Sequence, residues 1–397
     1  MPRVNPDILV WARDTAGLSL EAAARKLLIR DARGVPGPTR LAQLESGEVE
    51  PTRPLLVRMA KQYRRPLLTF YLADPPAEAN RGEDFRTLPE GYDATAEPIL
   101  DALLRDIRAR QGIVRAALED DDDITPAAWI GSIAIDQGVE SALNVIKTWL
   151  GLELAEYRAQ GSSDDAFRLL RNSVESRGVF VLLIGDLGSH HTSIDVRTYR
   201  GFALADEIAP FIVINDHDSR AAWAFTLLHE LTHLWLGQTG VSASGGSNSV
   251  EQFCNDVASR YLLRDTDLAV LRAANWDNFE RAASTVTALA DSINVSSSLV
   301  AYRLYRSGSI DARTWRRLAD FYREQWQDRR AEIRGTARSK DGGPDWYVVR
   351  QHRLGQSLLG TVSRMMRTGA LTTAKAGQVL GVRPTQVQPL MRVFYGG

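Results

Sequence analysis

The segment His229-Glu230-Leu231-Thr232-His233 sets two imidazoles four residues apart. On a helix they project from one face, one turn apart, and can share a metal ion. The spacing suits zinc, because three protein ligands leave a fourth tetrahedral position for a water whose pKa falls to about 7 on binding. Glu230, beside the first histidine, is placed to take that water's proton and pass it to a leaving amine. Hydrolysis of a peptide bond is the chemistry these residue types support.

The third ligand has to come from elsewhere in the chain. Glu251 stands at the predicted start of the next helix, after a Gly/Ser-rich stretch, 242–249, that lets the chain reverse. Asp256 is the alternative third ligand, with a shorter side chain. Asn255 lies four residues after Glu251 on the same helical face and is a candidate to hydrogen-bond a ligand imidazole. The group that would stabilise a tetrahedral oxyanion stays open among His190, His191, Tyr199 and Tyr261. His190, His191, His217 and His352 have no paired spacing and read as surface or loop residues.

Short motifs also arise by chance, so the elements around this one matter. Apolar spacing predicts a helix over 221–236, with capping side chains at 216–219 and Gly237 to end it, and a second helix over 250–263. Ahead of them lie short strands at 179–184, near 193–199 and at 211–214, preceded by helices at 99–118, 125–150 and 163–177. The acidic run 119–123 reads as a solvated helix end. Residues 265–334 are again helical, and 335–344, reading GTARSKDGGP, is a linker.

The first 72 residues read as closely spaced helices at 8–16, 20–28, 41–44 and 55–63. Two of them have the outline of a helix-turn-helix whose second helix would present Thr39, Arg40 and Gln43 to double-stranded DNA. Arginine suits guanine and glutamine adenine, while Thr39 and Ser19 could bond phosphates. Arg53, Arg58, Lys61, Arg64 and Arg65 add charge nearby. The competing reading is a helical bundle for protein contacts, because the charge surplus is modest. The connection 29–37 also exceeds the usual turn of three to four residues. Residues 371–391 repeat the outline loosely, as a helix, a turn at Gly381 and a second helix begun near Pro384.

With 397 residues the chain is long enough for two or three domains. Its 48 basic and 49 acidic residues give no global pull toward nucleic acid or membrane, so any DNA-binding surface has to be local. Cys254 is the only cysteine, which excludes an intramolecular disulfide and fits a reducing compartment. The longest apolar stretch, 179–184, is far short of a membrane span, and the N-terminus lacks an export pattern. The expectation is a cytoplasmic protein without membrane contact.

Taken in order, these pieces resemble the ImmA/IrrE family of metallopeptidase-like proteins, in the arrangement where an Xre-type helix-turn-helix precedes the zinc domain. The resemblance runs through Leu44-Glu45-Ser46-Gly47, Pro51-Thr52, Arg65-Pro66-Leu67, Phe70-Tyr71-Leu72, Phe211-Ile212-Val213-Ile214-Asn215, Phe225-Thr226-Leu227-Leu228-His229-Glu230 and Glu251-Gln252-Phe253-Cys254-Asn255. It implies one zinc ion per chain on His229, His233 and Glu251, with Glu230 as catalytic base. It also implies a narrow-specificity protease cutting a DNA-binding repressor or antitoxin-type partner. Leu44 stands where an aromatic residue is common in the reading helix, and the insertion before Pro38 is longer than usual.

The expected architecture is mainly α, with a small α+β zincin-like metallopeptidase domain, an N-terminal helix-turn-helix domain and a C-terminal helical tail. Its bounds are 1–72, a linker at 73–98, the metallopeptidase-like domain with helical flanks at 99–334, a linker at 335–344, and the tail at 345–397. The alternative function is a transcriptional regulator that keeps the metallopeptidase fold as sensor or scaffold. A purely protein-binding, antitoxin-like factor is a third possibility. A general base beside the ligands favours the enzyme, since a scaffold has no use for one.

Overall fold

The computed structural model describes residues 3–76, 97–120, 124–188, 192–242, 249–271, 276, 278–338 and 345–396. These fall into two compact units, residues 3–76 with 97–106, and the remainder from 107 on.

The first unit holds α1 (Pro6–Asp14), α2 (Leu20–Lys26), α3 (Gly37–Glu45), α4 (Arg53–Gln62) and the start of α5 (Glu97–Glu119). Ile8, Leu9, Ala12, Ala23, Leu27, Leu41, Met59 and Phe70 close its core, as their helical spacing predicts. The long α2–α3 connection is ordered. Arg33 and Gly34 both take positive φ in a tight turn, and Ala32 and Val35 exchange backbone hydrogen bonds across it.

The second unit continues with α6 (Val139–Leu150), α7 (Leu154–Arg158), α8 (Ser163–Glu175), β1 (Phe180–Leu183), β2 (Gly201–Leu204), β3 (Phe211–Ile214), α9 (Arg220–Trp235), β4 (Gly240–Ser242) and α10 (Ser249–Leu262). Four strands form one sheet in the order β1-β3-β2-β4, with β1 parallel to β3 and the other pairings antiparallel. Strands β1 and β3 are buried along their whole length, which is why they read as unbroken apolar runs. One hydrophobic core joins α8, the sheet, α9 and α10 to α11 (Phe279–Ser292), α12 (Ser297–Arg306) and α13 (Ala312–Arg338). Beyond it lie α14 (Trp346–Leu354), α15 (Gln356–Thr368), α16 (Thr373–Leu380) and α17 (Pro384–Gly396). Among the described residues no helix is long and apolar enough to cross a membrane.

Three sequence expectations need correction. The strand expected near 193–199 is a turn, because the Asp195 carboxylate and carbonyl accept the Arg197 and Thr198 N–H groups. The true strand, β2, begins two residues later at Gly201. The helix expected over 125–150 starts only at Val139, since Pro126 and the positive-φ glycines Gly131 and Gly138 break the run before it. Helix α13 runs on to Arg338, into the stretch read as a linker, and 339–344 lie outside the described residues. So do most of the linker at 73–98 and positions 243–248 of the Gly/Ser-rich stretch.

Candidate metal centre

Helix α9 carries the two histidines through the middle of the core. Gly237, at positive φ, closes its C-terminus, with Gln238 N–H donating to the His233 carbonyl. Gly131 and Ile133 donate to the Leu234 and Trp235 carbonyls, so residues ahead of α6 cap the last turn. Trp235 packs with Trp129 and Trp149, ring centroids 4.9 and 5.8 Å away. At the other end Ser219 occupies the N-cap without a side-chain hydrogen bond, contrary to the capping expected of 216–219.

His229 and His233 meet as their spacing predicts, with Nε2 atoms 3.1 Å apart. Glu251, on the first turn of α10, completes the group: its Oε2 is 3.3 Å from His229 Nε2 and its Oε1 3.2 Å from His233 Nε2. Ligands around a tetrahedral zinc at about 2.0–2.1 Å stand about 3.3 Å from one another, so these separations fit a single ion. All three residues are buried. The chemistry of the donors, two imidazoles and a carboxylate, agrees with the distances.

Charge is balanced within the trio. Burial pushes the His229 pKa down, against the Glu251 carboxylate, which accepts from the ring and attracts its charge. Burial also acts to lower His233, but Cys254, Glu251 and Glu230 overcome it and hold the ring well above its ordinary value. Burial alone would raise Glu251, yet hydrogen bonds from both imidazoles keep it well below the usual carboxylate range. A divalent cation would take over the role of those protons.

Glu230 is fully buried and faces β2. A Cβ placed on Gly201 would lie 2.7 Å from Glu230 Oε1 and from Thr226 Cγ2, so the strand admits this carboxylate only because position 201 has no side chain. Glycine inside a strand marks such close approaches, so Gly201 is a signal that the sequence itself carries. Cys254, three residues after Glu251 on α10, is fully buried and raises the His233 pKa, while burial raises its own.

Other candidates sort clearly. Asn255, one turn after Glu251 on α10, acts on the His229 ring to raise its pKa against burial, and its positioning role is a proposal. Asp256 lies outside the trio: its carboxylate accepts from Arg306 at 2.6 Å and Tyr302 at 3.2 Å, tying α10 to α12. Tyr199 and Tyr261 are not free to serve an oxyanion, because their buried hydroxyls donate to the Ile184 and Leu152 carbonyls. His190 and His191 lie outside the described residues. His217 meets Ser193 in a loop, its Nδ1 3.1 Å from the hydroxyl.

In the N-terminal unit Thr39 is exposed, while Arg40 and Gln43 are half-buried. Arg40 donates to the Arg30 carbonyl at 2.6 Å, which ties this candidate reader to the inserted turn. Arg65 stacks 4.0 Å over Trp11 and bonds Thr15, so its charge belongs to the packing of the unit.

A helix bearing paired histidines, a glutamate from the next helix and a small mixed sheet beneath define a metallopeptidase-type domain. Residues 182–305 match the family model Peptidase_M78, described as the IrrE N-terminal-like domain. The matched span contains His229, Glu230, His233 and Glu251, and the family implies a bound metal. Neither the curated proteins nor the solved structures contain a match to the chain.

Proposed function

We propose that the chain is a zinc-dependent endopeptidase that cuts a regulatory protein of the repressor or antitoxin type and is brought to double-stranded DNA by its N-terminal unit. The observation that carries the reading is the convergence of His229, His233 and Glu251 on one point, with Glu230 buried beside it. His229, His233 and Glu251 would hold the ion, one per chain. When bound, it supplies Lewis acidity to a scissile carbonyl and to water.

Glu230 is the residue that moves a proton. Ionised, its carboxylate accepts one from the attacking water and delivers it to the leaving amine, a role worth about 10²–10⁴-fold in rate. In this reading Asn255 would help orient the His229 ring, and the close backbone of β2 at Gly201 would fix Glu230.

The test is a comparison of new protein N-termini in cells producing the wild type or Glu230→Gln, which keeps the ligands and removes the base. A DNA-associated protein cut only by the wild type supports the reading and identifies the substrate. Absence of any cut, with zinc bound, would leave a regulator that uses the fold as a sensor.

A further inference from the structure

The C-terminal helices carry a feature that neither the metal centre nor the N-terminal unit explains. From Trp346 to the end there is no aspartate or glutamate, while Arg350, Arg353, Arg364, Arg367, Lys375, Arg383 and Arg392 are all basic. The whole chain is nearly neutral, so this is a strong local excess of positive charge. Arg350 and Arg353 are engaged within the protein, on the Leu380 and Gly381 carbonyls and on Asp186 and Asp216. Arg364, Arg367, Lys375, Arg383 and Arg392 are exposed.

Helices α16 and α17 are joined by three residues, Gly381, Val382 and Arg383, the connection length of a helix-turn-helix. Gly381 takes φ +60°, and Val382 N–H donates to the Gly377 carbonyl to close α16. A Cβ on Gly377 would fall 2.9 Å from the Val382 carbonyl oxygen, so glycine is required where the two helices approach. Ala376, Leu380, Val387 and Leu390 seal the angle between them and are fully buried.

That packing leaves one stripe of α17 outward: Thr385, Gln388 and Arg392, at spacings of three and four, with Arg383 at the head of the helix. These are the side chains that bond phosphate, adenine and guanine. Thr372 and Lys375, at the start of α16, are exposed as well. Pro389 has no N–H to offer the Thr385 carbonyl four residues earlier.

We infer that α16 and α17 form a DNA-binding helix-turn-helix, with α17 as the helix that enters the major groove. The ligand is double-stranded DNA, selected by the absence of acidic residues and by the exposed Arg/Gln/Thr stripe. This site is separate from the N-terminal one, where ten residues separate the helices and Arg40 is tied to Arg30. It also stands independently of the peptidase reading, since its test does not read cleavage.

The experiment is fluorescence anisotropy of the full chain on a mixed-sequence duplex of about 30 base pairs across a salt series. Wild type is compared with Arg383→Glu/Arg392→Glu, with the milder Arg383→Gln/Arg392→Gln, and with Arg40→Ala/Gln43→Ala. The charge reversal is expected to weaken binding about tenfold or more and to flatten the log–log salt slope by about two, the neutralising pair in the same direction but less. The N-terminal pair should leave the C-terminal share of the slope intact. Unchanged circular dichroism confirms that the variants are folded. Wild-type affinity and slope in both C-terminal pairs, or no duplex binding by the wild type at low salt, would overturn the inference.

Discussion

Gly201 on β2 faces Glu230 on α9 with no room for a side chain: a Cβ on the strand residue would fall 2.7 Å from the carboxylate oxygen on the helix. The absence of a side chain at one position therefore sets where the proposed base sits. Gly201→Ala should push Glu230 from its place while leaving His229, His233 and Glu251 free to bind zinc. Misplacement by 1 Å costs on the order of 10²-fold in rate, so cleavage should fall by about that factor at unchanged zinc content. Wild-type turnover in this variant would show that Glu230 tolerates displacement or is not the base.

Asp256 provides a contrast with Glu251, five residues before it. Its bonds to Arg306 and Tyr302 make it a tether between α10 and α12. Asp256→Ala should keep zinc but lose about 1.5–3 kcal/mol of stability, the scale of hydrogen bonds to a charged group. Denaturant unfolding together with metal analysis checks it. Loss of zinc without loss of stability would return Asp256 to the ligand set.

The C-terminal helices are fastened to the metallopeptidase domain by a buried ion pair. Arg171 bonds Glu175 at 3.0 Å and the His352 carbonyl at 2.6 Å, and Glu175 accepts the Gln356 and Ser357 N–H groups. Glu175→Ala leaves Arg171 buried without its carboxylate and should cost about 3–5 kcal/mol. Gly355→Ala, whose Cβ would lie 2.0 Å from Glu175 Oε1, should loosen α14 and α15 more than α9. Hydrogen exchange resolved along the chain measures this; uniform protection in the variant would contradict it.

Buried tyrosines set the alkaline limit. Burial pushes Tyr322, which donates to the Ala283 carbonyl, up to about 12 from 10.0, and raises Tyr157 and Tyr199 as well. The folded state holds these protons more tightly than the unfolded chain. Their contribution is therefore complete below pH 10 and, for Tyr322, is lost between 10 and about 12. Phenolate absorbance from the buried tyrosines should appear together with loss of helix in an alkaline titration. Full ionisation near pH 10 with the helices intact would contradict this reading.

Most of the metal centre was legible in the sequence because a helix turns four-residue spacing into adjacency, and α9 and α10 begin within a residue of their predicted starts. The strands β1 and β3 were legible as apolar runs, since both faces are covered. What the sequence hid depends on tertiary partners. Strand β2 is masked in the sequence because the alternation at 193–199 resembles a strand, while the turn there is fixed by Asp195 and by buried Asn215, whose side-chain amide donates to the Ile194 and Tyr199 carbonyls. Tyr199 and Tyr261 are plausible oxyanion donors by residue type alone; only the fold shows both hydroxyls already committed. For Arg40, a base contact by residue type, the fold adds what the sequence cannot show: one guanidinium nitrogen donates to the Arg30 carbonyl of the inserted turn.

On the proposed reading His229, His233 and Glu251 together hold one zinc ion. Metal analysis of the purified chain, beside His229→Ala, His233→Ala, Glu251→Ala and Glu230→Gln, tests it most directly. The expected result is zinc equimolar with the wild type and with Glu230→Gln, and loss of zinc from each of the other three. A wild type that binds no zinc after incubation with the metal, or full zinc content in Glu251→Ala, would contradict it.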